Sequence, residues 1–290
     1  MSVDLQVLYP KLIHLMLDTV FVVSADHQIL FVSDACESLL GYRAEELIGT
    51  SITGYMHPED LVETKASIKR VMNGQPHLDF RNRYLHKNGS VVHVLWSARW
   101  SDEEQVRIGV ARDVTAQVQA EDDLRFLAHH DSLTKLTNRS LFYDRLESAF
   151  NTAKRYQTRF ALLFLDVNDF KRINDGYGHA VGDAVLCEVA RRLEASVRDT
   201  DTVARMGGDE FTVLLTDVHS KDAAIEKAAS LLDVLSAPLE AEVSGINMVG
   251  ISMPSCSVGI ATYPEDGKDA DTLLNYADVK MYRMKRRRTR

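Results

Sequence analysis

Cysteine is scarce in this chain. Cys36, Cys187 and Cys256 are widely spaced and fall in no paired motif, which argues against a disulfide framework or structural zinc site and fits a reducing compartment. Long apolar runs are missing as well: nowhere do roughly 18 such residues stand together, so no membrane span is expected. The N-terminal stretch MSVDLQVLYPKLIHLML lacks a basic start followed by an uninterrupted apolar core. No signal peptide is expected there, and the reading is a cytoplasmic protein. Positive charge is in deficit, with 34 basic residues against 42 acidic ones and a net charge of -8. An acidic chain adheres poorly to nucleic acid or membrane surfaces, so neither is expected as a partner. No GxxxxGK[ST] phosphate loop, internal repeat or low-complexity tract occurs.

What is present divides into two patterns. At 290 residues the length suits about two domains, each with its own core. Residues 19 to 112 read as short strands with small helices between them. TVFVVSADHQILFVS predicts a hairpin around ADHQ. HPEDLVETKASIKRVMNG predicts a helix over 59 to 73, with Pro58 in its first turn and NG closing it. LDFRNRYLHKNGSVVHVLWSARW alternates around KNG, and QVRIGVARDV adds a last strand. About five strands with helices on one face follow, an α+β arrangement. From Thr115 to His130 the chain has neither Gly nor Pro, and Val118, Leu124 and Leu127 give it an apolar stripe. This connecting helix is either a docked linker or a short parallel coiled coil joining two protomers.

From Asp131 onwards longer helices alternate with apolar strands. RSLFYDRLESAFNTAKRY is amphipathic, and FALLFLDV is a continuous apolar run suited to a strand buried on both faces. AVGDAVLCEVARRLEASV sets Leu186, Val189, Ala190, Leu193 and Val197 on one helical face. Asp166 closes the apolar run, and a carboxylate there is costly unless paired, hydrogen-bonded or metal-bound. It reads either as a helix N-cap or as a functional acid. Downstream, DVNDFKRINDGYGHAVGD continues with a turn, a short helix and a glycine-rich loop whose N–H groups suit phosphate. TVARM and FTVLLT predict a second hairpin, with Gly207 and Gly208 in its turn and Asp209 and Glu210 carried beside Asp166. Two or three carboxylates around Mg²⁺, with phosphate oxygens completing the set, is a recurring arrangement for nucleotidyl transfer.

GGDEF at 207 to 211 resembles the signature of the GGDEF family, the diguanylate cyclases. DSLTKLTNR at 131 to 139 is similar to that family's opening motif, LFLDVNDFKRINDGYGHAVGD to its nucleotide-binding core, and CSVGIATYPEDG with YADVKMYRMK to its C-terminal third. The resemblance covers residues 126 to 290 and implies a palm-like α/β fold that condenses two GTP molecules into cyclic di-GMP. It implies that Asp166, Asp209 and the Val167 carbonyl bind Mg²⁺ or Mn²⁺. Glu210 joins them as a ligand or helps activate the 3′-hydroxyl. By the same resemblance Asn174 and Asp183 match residues that read the guanine edge, and Phe170 and Lys171 fall at the phosphate-binding turn. Lys285 matches a lysine that contacts the triphosphate, Gly207 and Gly208 are expected to leave room for nucleotide, and His179 is expected to play a structural part in the nucleotide-binding loop. Arg198 and Asp201, in RDTD, match the inhibitory product site. The lysine matching Lys285 is commonly followed in the family by x-x-G-R-N, whereas Arg288 and Thr289 occupy the glycine and arginine positions. Either Arg288 or Arg290 supplies the missing phosphate contact, or turnover is weaker, or the run is a solvated basic tail.

The N-terminal half resembles PAS sensor domains through GYRAEELIGTSITGYMHPED, NRYLHKNGSVVHVLWSARW and GVARDVTAQ. Cys36 comes too early for the flavin-photosensing type, helix 59 to 73 has no His, and His57 belongs to the HPED turn. A non-covalent small ligand of unknown identity, or none, is expected. The expected organisation is a sensor at 1–114, a connecting helix at 115–130 and a cyclase domain at 131–290. A two-fold product requires two facing sites, hence a homodimer through the PAS half and the connecting helix. A catalytically weak GGDEF module that only binds GTP or cyclic di-GMP is the alternative, and a PAS-driven scaffold leaves the acids unexplained.

Overall fold

The computed structural model describes every residue except 1–10, 12, 14, 240, 241, 244, 249, 250, 289 and 290. Most of the N-terminal stretch weighed above as a signal peptide lies outside the described residues, as do Thr289, Arg290 and the Arg288 side chain. The chain forms two compact units, residues 1–123 and 124–290.

The first unit is built on five antiparallel strands: β1 (Thr19–Ser24), β2 (Ile29–Val32), β3 (His77–Leu85), β4 (Val91–Ser101) and β5 (Val106–Asp113), in the order β2-β1-β5-β4-β3. Strict alternation along β1 buries Phe21 and Val23. Between β2 and β3 lie α1 (Cys36–Leu40), α2 (Ala44–Leu47) and α3 (Leu61–Met72). They deliver Leu39, Leu40, Leu47 and Ile68 to a core shared with Tyr84, Val94 and Ala111. The helix expected from residue 59 opens as a 3-10 turn at Pro58–Asp60, where the His57 ring accepts from the Glu59 N–H. The helix α4 (Thr115–His129) follows β5 and buries none of its side chains.

The second unit has a four-stranded antiparallel sheet, β11-β6-β8-β7, formed by β6 (Phe160–Val167), β7 (Thr202–Gly207), β8 (Glu210–Leu215) and β11 (Cys256–Tyr263). All eight residues of β6 are buried because helices cover both sheet faces. Leu163, Leu165, Phe211 and Val213 pack with α7 (His179–Ala195) and α8 (Lys221–Ser236). Leu162, Phe164 and Leu214 pack with α5 (Arg139–Tyr156) and α9 (Ala270–Arg288). A short α6 (Phe170–Tyr177) links β6 to α7, and β9 (Glu242–Val243) pairs with β10 (Ile246–Asn247) apart from the main sheet. The α7 helix ends at Ala195, so Val197 lies beyond the helical face assigned to it.

Candidate active site

The acids meet at one end of β6. Asp166 stands opposite Glu210 across the β6–β8 ladder, and the Val167 N–H donates to the Asp209 carbonyl at 3.1 Å. The hairpin differs from expectation by one residue. Gly207 is still in β7 and pairs with Glu210, so the two-residue turn is Gly208–Asp209. The ladder shifts register between Arg205 and Gly207, and Gly207 (φ 138°) absorbs the shift before Gly208 (φ 55°) reverses the chain. Both backbones lie in the left-handed region that favours glycine.

The turn is braced from outside the GGDEF motif. Arg205 donates through Nε and Nη2 to the Gly208 carbonyl at 3.0 and 2.8 Å, and through Nη1 to Asp131 at 2.9 Å. Asp131 also accepts from the Thr134 N–H and hydroxyl at 2.8 and 2.7 Å. Burial opposes its charge, but the bonds from Thr134 and Arg205 hold its carboxyl below the ordinary range. The opening motif and the acidic hairpin are thus joined by one guanidinium.

Lys285 arrives from the other side of the sheet. A Cβ on Gly259 would lie 1.8 Å from the Ala277 carbonyl oxygen, so only glycine lets α9 pass this close to β11. That approach brings Lys285 Nζ to Asp166 Oδ1 at 2.5 Å. Asp166 is 7% exposed. Burial pushes its pKa up and the neighbouring Asp209 charge adds to this, while Lys285 opposes both. The Glu210 pKa is also raised, by burial first and then by the charges of Asp166, Asp209 and Asp278. Net negative charge therefore accumulates around the register pair, which suits a hard divalent cation held by oxygens. Among the described residues no three acidic, imidazole or thiol groups already form a metal cluster. Two carboxylates, a backbone carbonyl and substrate phosphates suit Mg²⁺ better than an all-protein cage.

Past β6, buried Asn168 locks the turn. Its N–H and Nδ2 donate to the Ser255 carbonyl and hydroxyl at 2.8 and 2.9 Å, and its Oδ1 accepts from the Ser257 hydroxyl at 2.8 Å. Asp169, at φ 55°, then turns the chain into α6, which opens on Phe170 and Lys171. The N-cap role considered for Asp166 is therefore not taken. Asn174 packs so tightly on Gly182 that a Cβ there would lie 1.9 Å from Asn174 Oδ1, with the Phe170 ring 3.2 Å away. That Oδ1 is buried and has no hydrogen-bond donor. Asp183 follows Gly182 on α7 and is exposed, as is His179 at the start of that helix.

Arg198 and Asp201 are not brought to these acids. They precede β7 at its opposite end, roughly 17–20 Å along the strand from the hairpin turn. Asp201 accepts from the Arg198 N–H at 3.2 Å and from the Thr216 N–H at 3.0 Å, and the Arg198 side chain is exposed. The signals for Asn168, Arg205 and Gly259 were weak in sequence, since each gains its meaning from a partner distant along the chain.

An antiparallel sheet with helices on both faces, carrying acids at a hairpin turn and a lysine on a crossing helix, defines the class of domain. A family model described as diguanylate cyclase, GGDEF domain, matches residues 128–290, and one described as PAS fold matches residues 29–111. The chain belongs to the GGDEF family. It is 44% identical over 171 residues to the bifunctional diguanylate cyclase/cyclic di-GMP phosphodiesterase MucR of Pseudomonas aeruginosa, covering 59% of this chain and 24% of MucR. Similarity to diguanylate cyclase DgcM of Escherichia coli (strain K12) runs through both units, at 30% identity over 276 residues, 90% of this chain and 62% of DgcM. The chain thus spans less than two thirds of either relative. The solved GGDEF domain of TpbB (YfiN) from P. aeruginosa superposes with a TM-score of 0.51 at 42% identity, covering 55% of this chain and 90% of that one. Among the described residues no helix is long and apolar enough to cross a membrane.

Proposed function

We propose that the C-terminal unit is a working diguanylate cyclase, joining two GTP molecules into cyclic di-GMP with release of two pyrophosphates. The observation that carries this reading is the register pair Asp166–Glu210 beneath the Asp209 turn, with Lys285 on Asp166. In each half-reaction a 3′-oxygen forms a bond to the other nucleotide's α-phosphorus, and the bond from that phosphorus to the β-phosphate bridging oxygen breaks. Asp166, Asp209 and the Val167 carbonyl would hold Mg²⁺ or Mn²⁺, which when bound would neutralise charge developing on the phosphates. Glu210 serves either that ion or the 3′-hydroxyl proton. Phe170 and Lys171 offer helix N-terminal N–H groups to the phosphates, with Gly207 and Gly208 leaving the approach open. Asn174 offers its side-chain amide to guanine O6 or N3, and exposed Asp183 accepts from the N1–H and 2-amino edge. His179 supports this loop. Arg198 and Asp201 form a separate product-binding site for feedback, with the exposed guanidinium taking a phosphate or stacking on guanine.

Incubation of the purified chain with GTP and Mg²⁺ should yield cyclic di-GMP, and Asp209→Ala should lower the rate by about 100-fold or more. GTP binding without product, across both Mg²⁺ and Mn²⁺, would establish the second reading, a nucleotide-binding module. The observation favouring that module is Arg288 and Thr289 standing where the family commonly has glycine and arginine.

A further inference from the structure

The core of the first unit contains a charge that its surroundings leave unanswered. Strand alternation along β5 turns residues 107, 109 and 111 inward, and two of these are glycine and alanine. The third is Arg107, only 7% exposed. Its Nη1 is buried and has no hydrogen-bond partner. No described carboxylate pairs with it, and burial lowers its pKa, with Tyr84 opposing. Tyr84 is no counter-ion, since burial drives its own pKa up and keeps the phenol neutral.

Arg107 borders a cavity of about 40 Å³ with Ile52, Met56, Phe80 and Trp96 among its apolar walls. The other polar wall groups already satisfy one another. Trp96 Nε1 donates to Asn82 Oδ1 at 3.0 Å, Asn82 Nδ2 donates to Thr64 Oγ1 at 3.1 Å, and Ser67 bonds the His77 ring at 2.7 Å. The unmatched wall group is therefore the Arg107 guanidinium, set among largely apolar neighbours. A neutral occupant would leave the charge uncompensated and a cationic one would be repelled, whereas a carboxylate compensates it and takes two of its N–H groups at once. The volume admits roughly three waters, which leaves room for a carboxylate with a short tail and not for an aromatic cofactor.

We propose that this cavity binds a small monocarboxylate of about two to four carbons, its oxygens forked on Arg107 and its alkyl end against Ile52, Met56 and Phe80. The full chain is titrated with acetate, propionate and butyrate at constant ionic strength, by calorimetry and thermal melting. The isosteric amides and the chloride and nitrate salts run in parallel. Saturable binding to at least one carboxylate is expected, tighter than to its amide by about tenfold or more and accompanied by a rise in Tm. Arg107→Met should abolish both effects while raising the Tm of the unliganded protein, because it removes a buried uncompensated charge. Arg107→Lys, which keeps charge but loses the fork, should bind more weakly than wild type and supplies the comparison should the methionine variant fail to fold. The proposal is overturned by amide binding equal to carboxylate, by chloride or nitrate binding as tightly, or by no saturable binding to folded wild type. Unchanged carboxylate affinity in either folded variant overturns it too.

Discussion

Arg205 shows how much of the acidic hairpin depends on a residue outside its acids. Its guanidinium spans the Gly208 carbonyl and Asp131, and its side chain is 12% exposed. Each charge-assisted bond of this kind contributes about 1.5–3 kcal/mol, so Arg205→Met should measurably lower the melting temperature. It should also loosen the turn that aims Asp209, and misplacement near 1 Å costs up to about 100-fold in rate. The expected result is a fall in kcat of about tenfold or more with a smaller change in KM, read by steady-state production of cyclic di-GMP. Unchanged kcat in a destabilised but folded variant would reduce Arg205 to a stability role. The acids themselves were legible in sequence because a carboxylate after six apolar residues is chemically out of place. Arg205, Asn168 and Gly259 were not, since an arginine, an asparagine or a glycine is ordinary until its partner is known. The position of Gly207 was misassigned for a related reason: a strand bulge and a turn both favour glycine with positive φ.

Among the elements, α9 depends on β11 for its position. Adding a methyl group at Gly259 brings it against the Ala277 carbonyl, and overpacking of this kind costs about 1–3 kcal/mol. Gly259→Ala should therefore lower the melting temperature and weaken GTP turnover together, because Lys285 rides on the displaced helix. The α7–α8 contact contains a buried ion pair. Glu188 accepts from Arg191 and Arg192, and Arg192 also donates to the Ala237 and Pro238 carbonyls after α8. Hydrogen bonds from Arg191, followed by those from Arg192, hold Glu188 below the ordinary carboxylate range despite burial. Because the folded pKa is lower than the unfolded value of about 4.3, this stabilisation is complete above that value. It is lost as pH falls through the folded pKa. Removing one partner of a buried pair costs about 3–5 kcal/mol, so Glu188→Ala should destabilise the unit strongly at pH 7. The gap to wild type should narrow in melts taken below about pH 4. Elements were the most legible scale: α5 and β6 coincide with the amphipathic and apolar runs read for them, since each run has one period throughout. The 3-10 turn before α3 was hidden because its polar residues fit a helix first turn equally well.

For the whole molecule, the decisive constraint is the symmetry of the proposed product. On that reading one nucleotide site supplies one half of a two-fold ring, which calls for two copies facing each other. The face for that meeting is suggested by α4, which buries no side chain and leaves Leu124 and Leu127 at 68% and 52% exposure, with Phe126 beside them. A helix of 15 residues is marginal in water on its own, and covering this stripe with a second copy would stabilise it. Leu124→Glu with Leu127→Glu places like charges along the same stripe and should keep the chain monomeric at micromolar concentrations, as measured by analytical ultracentrifugation. GTP affinity of the variant should stay near wild type, since neither residue reaches the acids of β6 and β8. Its rate of cyclic di-GMP formation should fall by about tenfold or more and recover as protein concentration rises. A monomeric variant with full specific activity would show that the facing sites are assembled by another surface, whereas a dimeric variant with normal activity would remove α4 from the interface.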